Sequence, residues 1–177
     1  PLLGELDESK PETWEKYNEL CKQSGIDVLI WDWYWYNSEP CLHEALENGF
    51  LRASNKNVVK FACMWTNHPL YVLYPTAMTN GHNVYPPSFR PADSSLKECW
   101  QSLSYIISRY CHLENYWRID DKPVICIWDP NRLEKMIGMS QTKQLFAELV
   151  GFAKKMGHKG LHFHSSGFYS PNSKEVG

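Results

Sequence analysis

Acidic and imidazole side chains recur in this chain where short apolar strands are expected to end. Asp32 lies within residues 28–36, Asp129 directly follows the run 124–128, and His164 belongs to a last short run. Carboxylates and imidazoles are the side chains that most often transfer protons in enzymes. If the strands are parallel neighbours, their carboxyl-terminal ends meet at one opening. The two carboxylates among these groups are therefore candidates for acid and base catalysis.

The spacing of the two aspartates determines what they could do together. Asp32 and Asp129 each share strand parity with the apolar residues two and four positions earlier, so if the strands curl into a barrel, both carboxylates are predicted to face its interior. Strands two apart separate their backbones by roughly 9 to 10 Å, close to the ~6.5 to 9.5 Å between the carboxyl groups of inverting glycosidases. We therefore take Asp32 and Asp129 as candidate catalytic residues. Either could instead hold a pair of substrate hydroxyls, and a strand-end aspartate such as Asp32 could also cap a turn or pair with a buried arginine.

Aromatic and polar neighbours of these strand ends would supply a binding surface. Aromatic rings offer flat apolar faces on which a sugar ring can stack. Amide and imidazole groups can exchange hydrogen bonds with hydroxyls. The candidate substrate-binding residues are Trp33, Trp35, Tyr36, Trp65, Asn67, His68 and His164, with Trp128 as a further rim residue.

The pair His162 and His164 also fits part of a zinc site, because alternate residues of a strand point to the same face. Such a site would need further ligands, and the surrounding tryptophans are unusual for a hydrated metal centre. We favour a substrate hydrogen bond for His164 and a packed core position for His162. The sequence contains no Gly-rich phosphate loop, nucleophile elbow or catalytic cysteine arrangement. Neither a metal nor a cofactor is therefore predicted.

Strands alternating with helices must position these side chains. Ser9 and Pro11 indicate the start of a first helix, and Ser95 with Glu98 forms a capping-box signature ahead of a clear apolar stripe. Helices are predicted over residues 11–24, 41–54, 96–110 and 141–156, and strands over 27–36, 58–65, 124–128 and 161–164. The segment 68–93 is rich in proline and longer than most loops. We interpret it as a wall or lid over the site, with a passive surface loop as the alternative.

Strict alternation of helix and strand predicts an α/β fold with parallel strands and right-handed crossovers. A (β/α)8 barrel takes ~250 residues, so about four βα units predict a partial TIM-type barrel, with a small open sheet as the alternative. Residues 1–177 are interpreted as a single catalytic-type barrel domain. Because the chain starts at Pro1 and stops at Gly177 in an apparent loop, we expect a fragment of a longer protein.

The composition excludes some partners. Lys and Arg number 18 against 20 Asp and Glu, for a net charge near −2, and without a basic stripe no nucleic acid is expected to bind. The longest apolar run is far shorter than the roughly 20 residues of a membrane span. Six cysteines show no CxxC spacing and are predicted to be free thiols. The 14% of aromatic residues is typical of a sugar-binding cleft and equally of a Trp-rich core.

Several stretches appear in an order that is fairly specific. They are Gly25-Ile26-Asp27 running into Trp31-Asp32-Trp33-Tyr34-Trp35-Tyr36, then Leu42-x-x-Ala45-Leu46-x-x-Gly49-Phe50, then Phe61-Ala62-Cys63-Met64-Trp65-Thr66-Asn67-His68, and finally Asn115 to Val124 continuing to Trp128-Asp129. Together they resemble the glycoside hydrolase family 99-like proteins, including those of WbsX type. The resemblance covers nearly the whole chain.

This resemblance implies a (β/α)8 barrel acting on carbohydrate, and family 99 itself comprises retaining endo-α-mannosidases. It also implies a catalytic glutamate pair after the fifth strand, outside this chain. The matching positions here would then bind substrate: the aromatic strand end from Asp32, the corner from Trp65 to His68, Asp129, and His164, where family members often carry Tyr.

We therefore expect a glycoside hydrolase of oligo- or polysaccharides whose main carboxylate pair lies outside the chain. A polysaccharide-biosynthesis glycosyltransferase and a non-catalytic sugar-binding barrel are the alternatives. A nucleotide-sugar donor would need a diphosphate site, and the sequence has neither a Gly-rich loop nor a basic cluster for one.

Overall fold

The computed structural model describes residues 4, 6–71, 78–79, 82–83, 88–90 and 95–165. Its strands are β1 Val28–Tyr36, β2 Glu39–Cys41, β3 Lys60–Trp65, β4 Leu70–Tyr71, β5 Met78–Thr79, β6 His82–Asn83, β7 Ser88–Arg90, β8 Arg118–Ile119, β9 Lys122–Ile127 and β10 His162–Ser165. Its α-helices are α1 Pro11–Gln23, α2 Leu96–Arg109, α3 Pro130–Ile137 and α4 Met139–Lys155. A π-helical turn, Ala45–Gly49, and two 3-10 turns, Phe50–Arg52 and Lys56–Val58, connect β2 to β3.

Four parallel strands form the centre of the molecule in the order β1, β3, β9 and β10. β2 adds an antiparallel strand at the outer edge of β1, and β8 pairs antiparallel with β9. The sheet is curled like half of a barrel, in a mixed α/β fold. The short pairs β4 with β7 and β5 with β6 stand apart from this sheet.

The helices cover one face of the sheet, here called the covered face. Trp31 of β1 lies 4.7 Å from Trp14 of α1 between ring centroids. On β10, Phe163 stacks on Phe146 of α4 at 4.4 Å. Because alternate residues of a strand point to opposite faces, the side chains one position away lie on the other face. We call that second side the open face.

Residues 41–54 do not form the predicted α-helix. Asn37 and Ser38 adopt positive φ, and the chain turns back so that Glu39 pairs with Tyr36. A two-residue turn with both φ values positive matches the right-handed twist of a hairpin, and Asn is favoured in such turns. Leu42 also has positive φ and is 61% exposed. The apolar residues of this segment instead belong to a π-helical turn followed by a 3-10 turn.

The other predicted elements are close to those observed. The capping box of Ser95 and Glu98 is present at the start of α2. Ser9 is not the N-cap of α1, because it bonds to Asp7 and Lys10 occupies the cap position. Helix α3 was not predicted from the sequence. The predicted lid over residues 68–93 lies largely outside the described residues.

The six cysteines all fall within described residues, and none of them forms a disulfide bond, as predicted.

Gly49 provides a test of the packing between α1 and the turn that follows β2. A Cβ atom at this position would overlap the carbonyl oxygen of Glu8 and the indole of Trp14. We expect Gly49→Ala to lower the free energy of unfolding by about 1–3 kcal/mol, because a rigid, packed contact must shift. Urea denaturation of the complete protein measures this change.

Gly151 is the matched control, since it lies in α4 and a methyl group added there would meet no atom within 4 Å. Gly151→Ala should raise stability by roughly 0.5–1 kcal/mol through helix propensity. Equal effects of the two substitutions would contradict the packing argument.

Candidate functional site

One row of the open face crosses all four parallel strands. Asp32 is in register with Met64, Met64 with Cys126, and Cys126 with His164. Residues in register in a parallel ladder point to the same face. Asp32 and His164 are exposed, whereas Met64 and Cys126 are buried between them. The structure therefore brings the predicted carboxylate and imidazole to one face, separated by three strand spacings of about 4.8 Å each.

Tyr34 lies next to this row, two residues beyond Asp32 on the same face. Its ring is 6.2 Å from Tyr36 in a stacked arrangement and 6.1 Å from His68 edge to face. Burial raises the pKa of the Tyr34 phenol, the Asp32 carboxylate raises it further, and a hydrogen bond with Thr66 acts in the opposite direction. The phenol therefore remains protonated at neutral pH and can donate a hydrogen bond. Strand parity with Asp32 was the sequence signal that could have identified Tyr34.

Tyr36 and His68 are joined by a hydrogen bond instead of standing free. The Tyr36 hydroxyl donates to the backbone carbonyl of His68 at 2.9 Å, and Tyr36 is 1% exposed. The Nδ1 atom of His68 lies 2.7 Å from the carbonyl oxygen of Pro69. The two residues thus shape the corner after β3 beside Tyr34.

Asn67 holds the segment after β3 against the segment after β9. Its Nδ2 donates to the backbone carbonyl of Asp129 at 2.8 Å, and its Oδ1 accepts from the Asp129 backbone N–H at 2.9 Å. Asn67 is 2% exposed. This two-bond clamp continues the connection between the two strands beyond the end of β9. The Asn67 side chain therefore fixes the position of the Asp129 backbone.

Asp129 caps α3. Its Oδ1 accepts a hydrogen bond from the backbone N–H of Arg132 at 2.9 Å. The prediction that Asp129 faces the same interior as Asp32 because of strand parity is wrong. Ile127 is in register with Trp65 on the covered face, and β9 ends before Asp129. Helix capping by Asp129 was not among the alternatives considered from the sequence, which were a turn cap or a buried arginine partner for Asp32 and binding of substrate hydroxyls for either aspartate.

Three of the tryptophans predicted to bind substrate lie in the core. Trp33 is 2%, Trp35 7% and Trp65 1% exposed. Trp33 stacks on Tyr105 of α2 at 5.7 Å, and its Nε1 donates to the Tyr110 hydroxyl at 3.4 Å. These indoles fill the space between sheet and helices and offer no ring face to a ligand in this arrangement.

Trp128 has a more accessible ring. It follows β9, its backbone N–H donates to the carbonyl of Trp65 at 3.1 Å, and it is 37% exposed. A hollow of about 400 Å³ also borders Asp32 along the edge of β1, with exposed Ile30 and Leu42 in its lining. An apolar edge thus borders the carboxylate, and an exposed indole follows β9.

Neither a metal cluster nor a membrane helix is found in the described part of the chain. His162 and His164 share the open face, but no group of three or more His, Cys, Asp or Glu residues there could hold a metal ion. None of the described helices is long and apolar enough to cross a lipid bilayer.

The clamp at Asn67 generates a stability prediction. Asn67→Ala removes both partners of the Asp129 backbone, so the free energy of unfolding should fall by about 1–3 kcal/mol. Asn57→Ala, which removes an exposed hydrogen bond to Glu114, should change it by less than about 0.5 kcal/mol. Thermal or urea unfolding of the complete protein compares the two variants. Similar losses in the free energy of unfolding would contradict a stabilising role for the Asn67 clamp.

Comparison with known proteins identifies the family. A search of curated proteins gave no match. The model of the family described as Glycosyltransferase WbsX matches residues 3–175, which is nearly the whole chain. This agrees with the WbsX-type resemblance of the motifs around Asp32, Trp65 and Asp129. The chain belongs to the WbsX family, and it is accordingly a carbohydrate-active protein.

Proposed function

We propose that this chain is part of a (β/α)8 glycoside hydrolase that binds an oligo- or polysaccharide across the open face of its sheet. The observation that carries the proposal is the register row from Asp32 to His164, which aligns a carboxylate and an imidazole on one face. Tyr34 lies beside this row and Trp128 follows β9. All four belong to the carboxyl-terminal part of the strands or follow it, where barrel enzymes hold their substrates.

The chemistry of these groups suits a sugar. The exposed Asp32 carboxylate makes no hydrogen bond to another described residue, so it can accept hydrogen bonds from a pair of hydroxyls. The Tyr34 phenol and the His164 ring can bind further hydroxyls. The indole of Trp128 offers a face for the C–H groups of a sugar ring.

Asp32 is the better placed of the two candidate catalytic aspartates. The Asp129 carboxylate is already engaged in capping α3, so its proposed contribution is to fix the geometry of the rim. Asp32 either binds hydroxyls or transfers a proton, and the main acid pair comes from strands beyond this chain. Asn67 and His68 would contribute indirectly to saccharide binding, because they fix the backbone of the segment that follows β3.

The free edges of the sheet support a longer barrel. β2 covers only the Tyr34–Tyr36 portion of the outer edge of β1, and among described residues no strand pairs with the outer edge of β10. Unpaired backbone groups at sheet edges tend to recruit further strands. We therefore propose that the remaining βα units pair with β1 and β10 and close the barrel.

Glycosyl transfer is the second candidate, because the matched family is described as a glycosyltransferase. Hydrolysis and transfer differ in the co-substrate: a hydrolase releases new reducing ends from a glycan in water alone, whereas a transferase needs an activated sugar donor. The open face could serve either reaction as the site of the glycan.

The test is reducing-end release from α-linked mannosides and other glycans by the complete protein, with and without sugar-nucleotide donors. For the hydrolase, release should occur without a donor, and Asp32→Asn should lower turnover or affinity about 10- to 100-fold through lost hydrogen bonds to a charged group. Product formation only in the presence of a sugar-nucleotide donor would contradict hydrolysis and assign glycosyl transfer instead.

Asp121→Asn is the matched control, since Asp121 is an exposed aspartate beside the amino-terminal end of β9 and pairs with Lys159. It should leave both binding and turnover unchanged. Full turnover and full glycan binding by Asp32→Asn, with an unchanged melting temperature, would eliminate the open face as the saccharide site.

A further inference from the structure

A second cleft, here called the basal cleft, lies away from the open face. It encloses about 440 Å³, a volume within the range of small-molecule sites. Its lining includes three basic side chains, a histidine and two carboxylates: Arg52, Lys56, Arg109, His112, Glu47 and Glu114. These residues are scattered in the sequence, so no basic cluster is visible until the chain folds.

The basal cleft belongs to the amino-terminal end of the sheet. Lys56 lies in the turn just before β3, and the backbone carbonyl of Asn115 accepts a hydrogen bond from the Phe61 backbone N–H at 3.0 Å. The row containing Met64 lies several residues further along β3, and each residue advances a strand by about 3.3 Å. The cleft is therefore distinct from the proposed saccharide face.

Both carboxylates of the cleft are already bound. Glu47 receives two hydrogen bonds from the Arg109 guanidinium at 3.3 Å each and a third from the Tyr110 hydroxyl at 2.7 Å. Burial raises the pKa of Glu47, but these bonds outweigh burial and hold the pKa below its usual value. Glu114 accepts from Asn57.

The other two basic residues, Arg52 and Lys56, make fewer hydrogen bonds than Arg109. Arg52 is exposed, and its guanidinium makes no hydrogen bond or ion pair with any described residue. The Lys56 ammonium donates to the carbonyl of Leu51 at 2.9 Å, which leaves two N–H groups. Three cations against two carboxylates make the cleft net positive even with His112 neutral.

The walls of the cleft are fixed by the fold. Asn115 is 5% exposed, and its Nδ2 donates to the Lys56 carbonyl at 3.0 Å. Glu47 lies in the π-helical turn Ala45–Gly49, an uncommon geometry that is frequent at functional sites. The cations are thus carried by segments that are tied together before any ligand binds.

We propose that the basal cleft binds an oxyanion, a phosphate or carboxylate group carried by a small molecule or a sugar, with Arg52 and Lys56 as its ligands. A guanidinium matches such groups with two parallel hydrogen bonds, and an ammonium adds a point charge. This proposal does not depend on hydrolysis or transfer at the open face.

Isothermal titration of the complete protein with inorganic pyrophosphate, and separately with glucuronate, tests the proposal at fixed ionic strength. At least one anion should bind, and Arg52→Gln should weaken its binding at least 10-fold. Binding of pyrophosphate alone assigns a phosphate ligand, and binding of glucuronate alone assigns a carboxylate.

Lys155→Gln is the matched control, because it removes one exposed positive charge at the end of α4. It should change the affinity less than twofold. The proposal is overturned if neither anion binds, if chloride at equal ionic strength competes equally well, or if both variants weaken binding alike. Reducing-end release by Arg52→Gln should match wild type, so failure here leaves the proposed function standing.

Discussion

Parallel pairing fixes the direction of every side chain across the central sheet. Once Asp32 is in register with Met64, Cys126 and His164, their neighbours Trp33, Trp65, Ile127 and Ser165 must lie on the opposite face. A shift of one residue in a single strand would exchange the faces of all its side chains. The covered face holds the register in place, because the large aromatic side chains of β1 and β3 are packed against the helices there.

The two faces of β1 show this division most clearly. Trp31, Trp33 and Trp35 pack toward the helices, and the adjacent Asp32 and Tyr34 point the other way. The same aromatic run therefore provides both core and candidate binding groups. Burial of the indoles fixes the orientation of β1, and this orientation determines the positions of the Asp32 and Tyr34 side chains. At the rim, Asn67 extends the same constraint by holding the backbone of Asp129 after β9 has ended.

Local chemistry made much of this fold predictable from sequence. Apolar strands, the capping box at Ser95 and the alternation of elements all depend on residues near one another. The hairpin at Asn37 and Ser38 was missed because it lacks the usual Asn-Gly pair. Strand parity was available for Tyr34, but the sequence could not tell which face of β1 the helices cover. Trp33 and Trp35 were consequently predicted as binding residues although they lie in the core.

Long-range contacts account for the remaining differences. The basal cleft brings together Arg52, Lys56, Arg109 and His112 from separate segments. No local sequence pattern predicts that these residues are close in the fold. The role of Asp129 depended on whether a helix starts at Pro130, and that helix is too short for a strong periodic signal. The family match is consistent with the carbohydrate chemistry inferred from the aromatic strand end.

A saccharide bound on the open face would cover the side chains exposed there. Hydroxyl-radical footprinting of the complete protein, read by mass spectrometry with and without a bound glycan, measures this directly. Binding on the open face predicts that Tyr34, Trp128 and His164 lose reactivity when the glycan binds, while the reactivity of exposed Met156 at the end of α4 does not change. Undiminished reactivity of Tyr34, Trp128 and His164 in a glycan-saturated protein would contradict it.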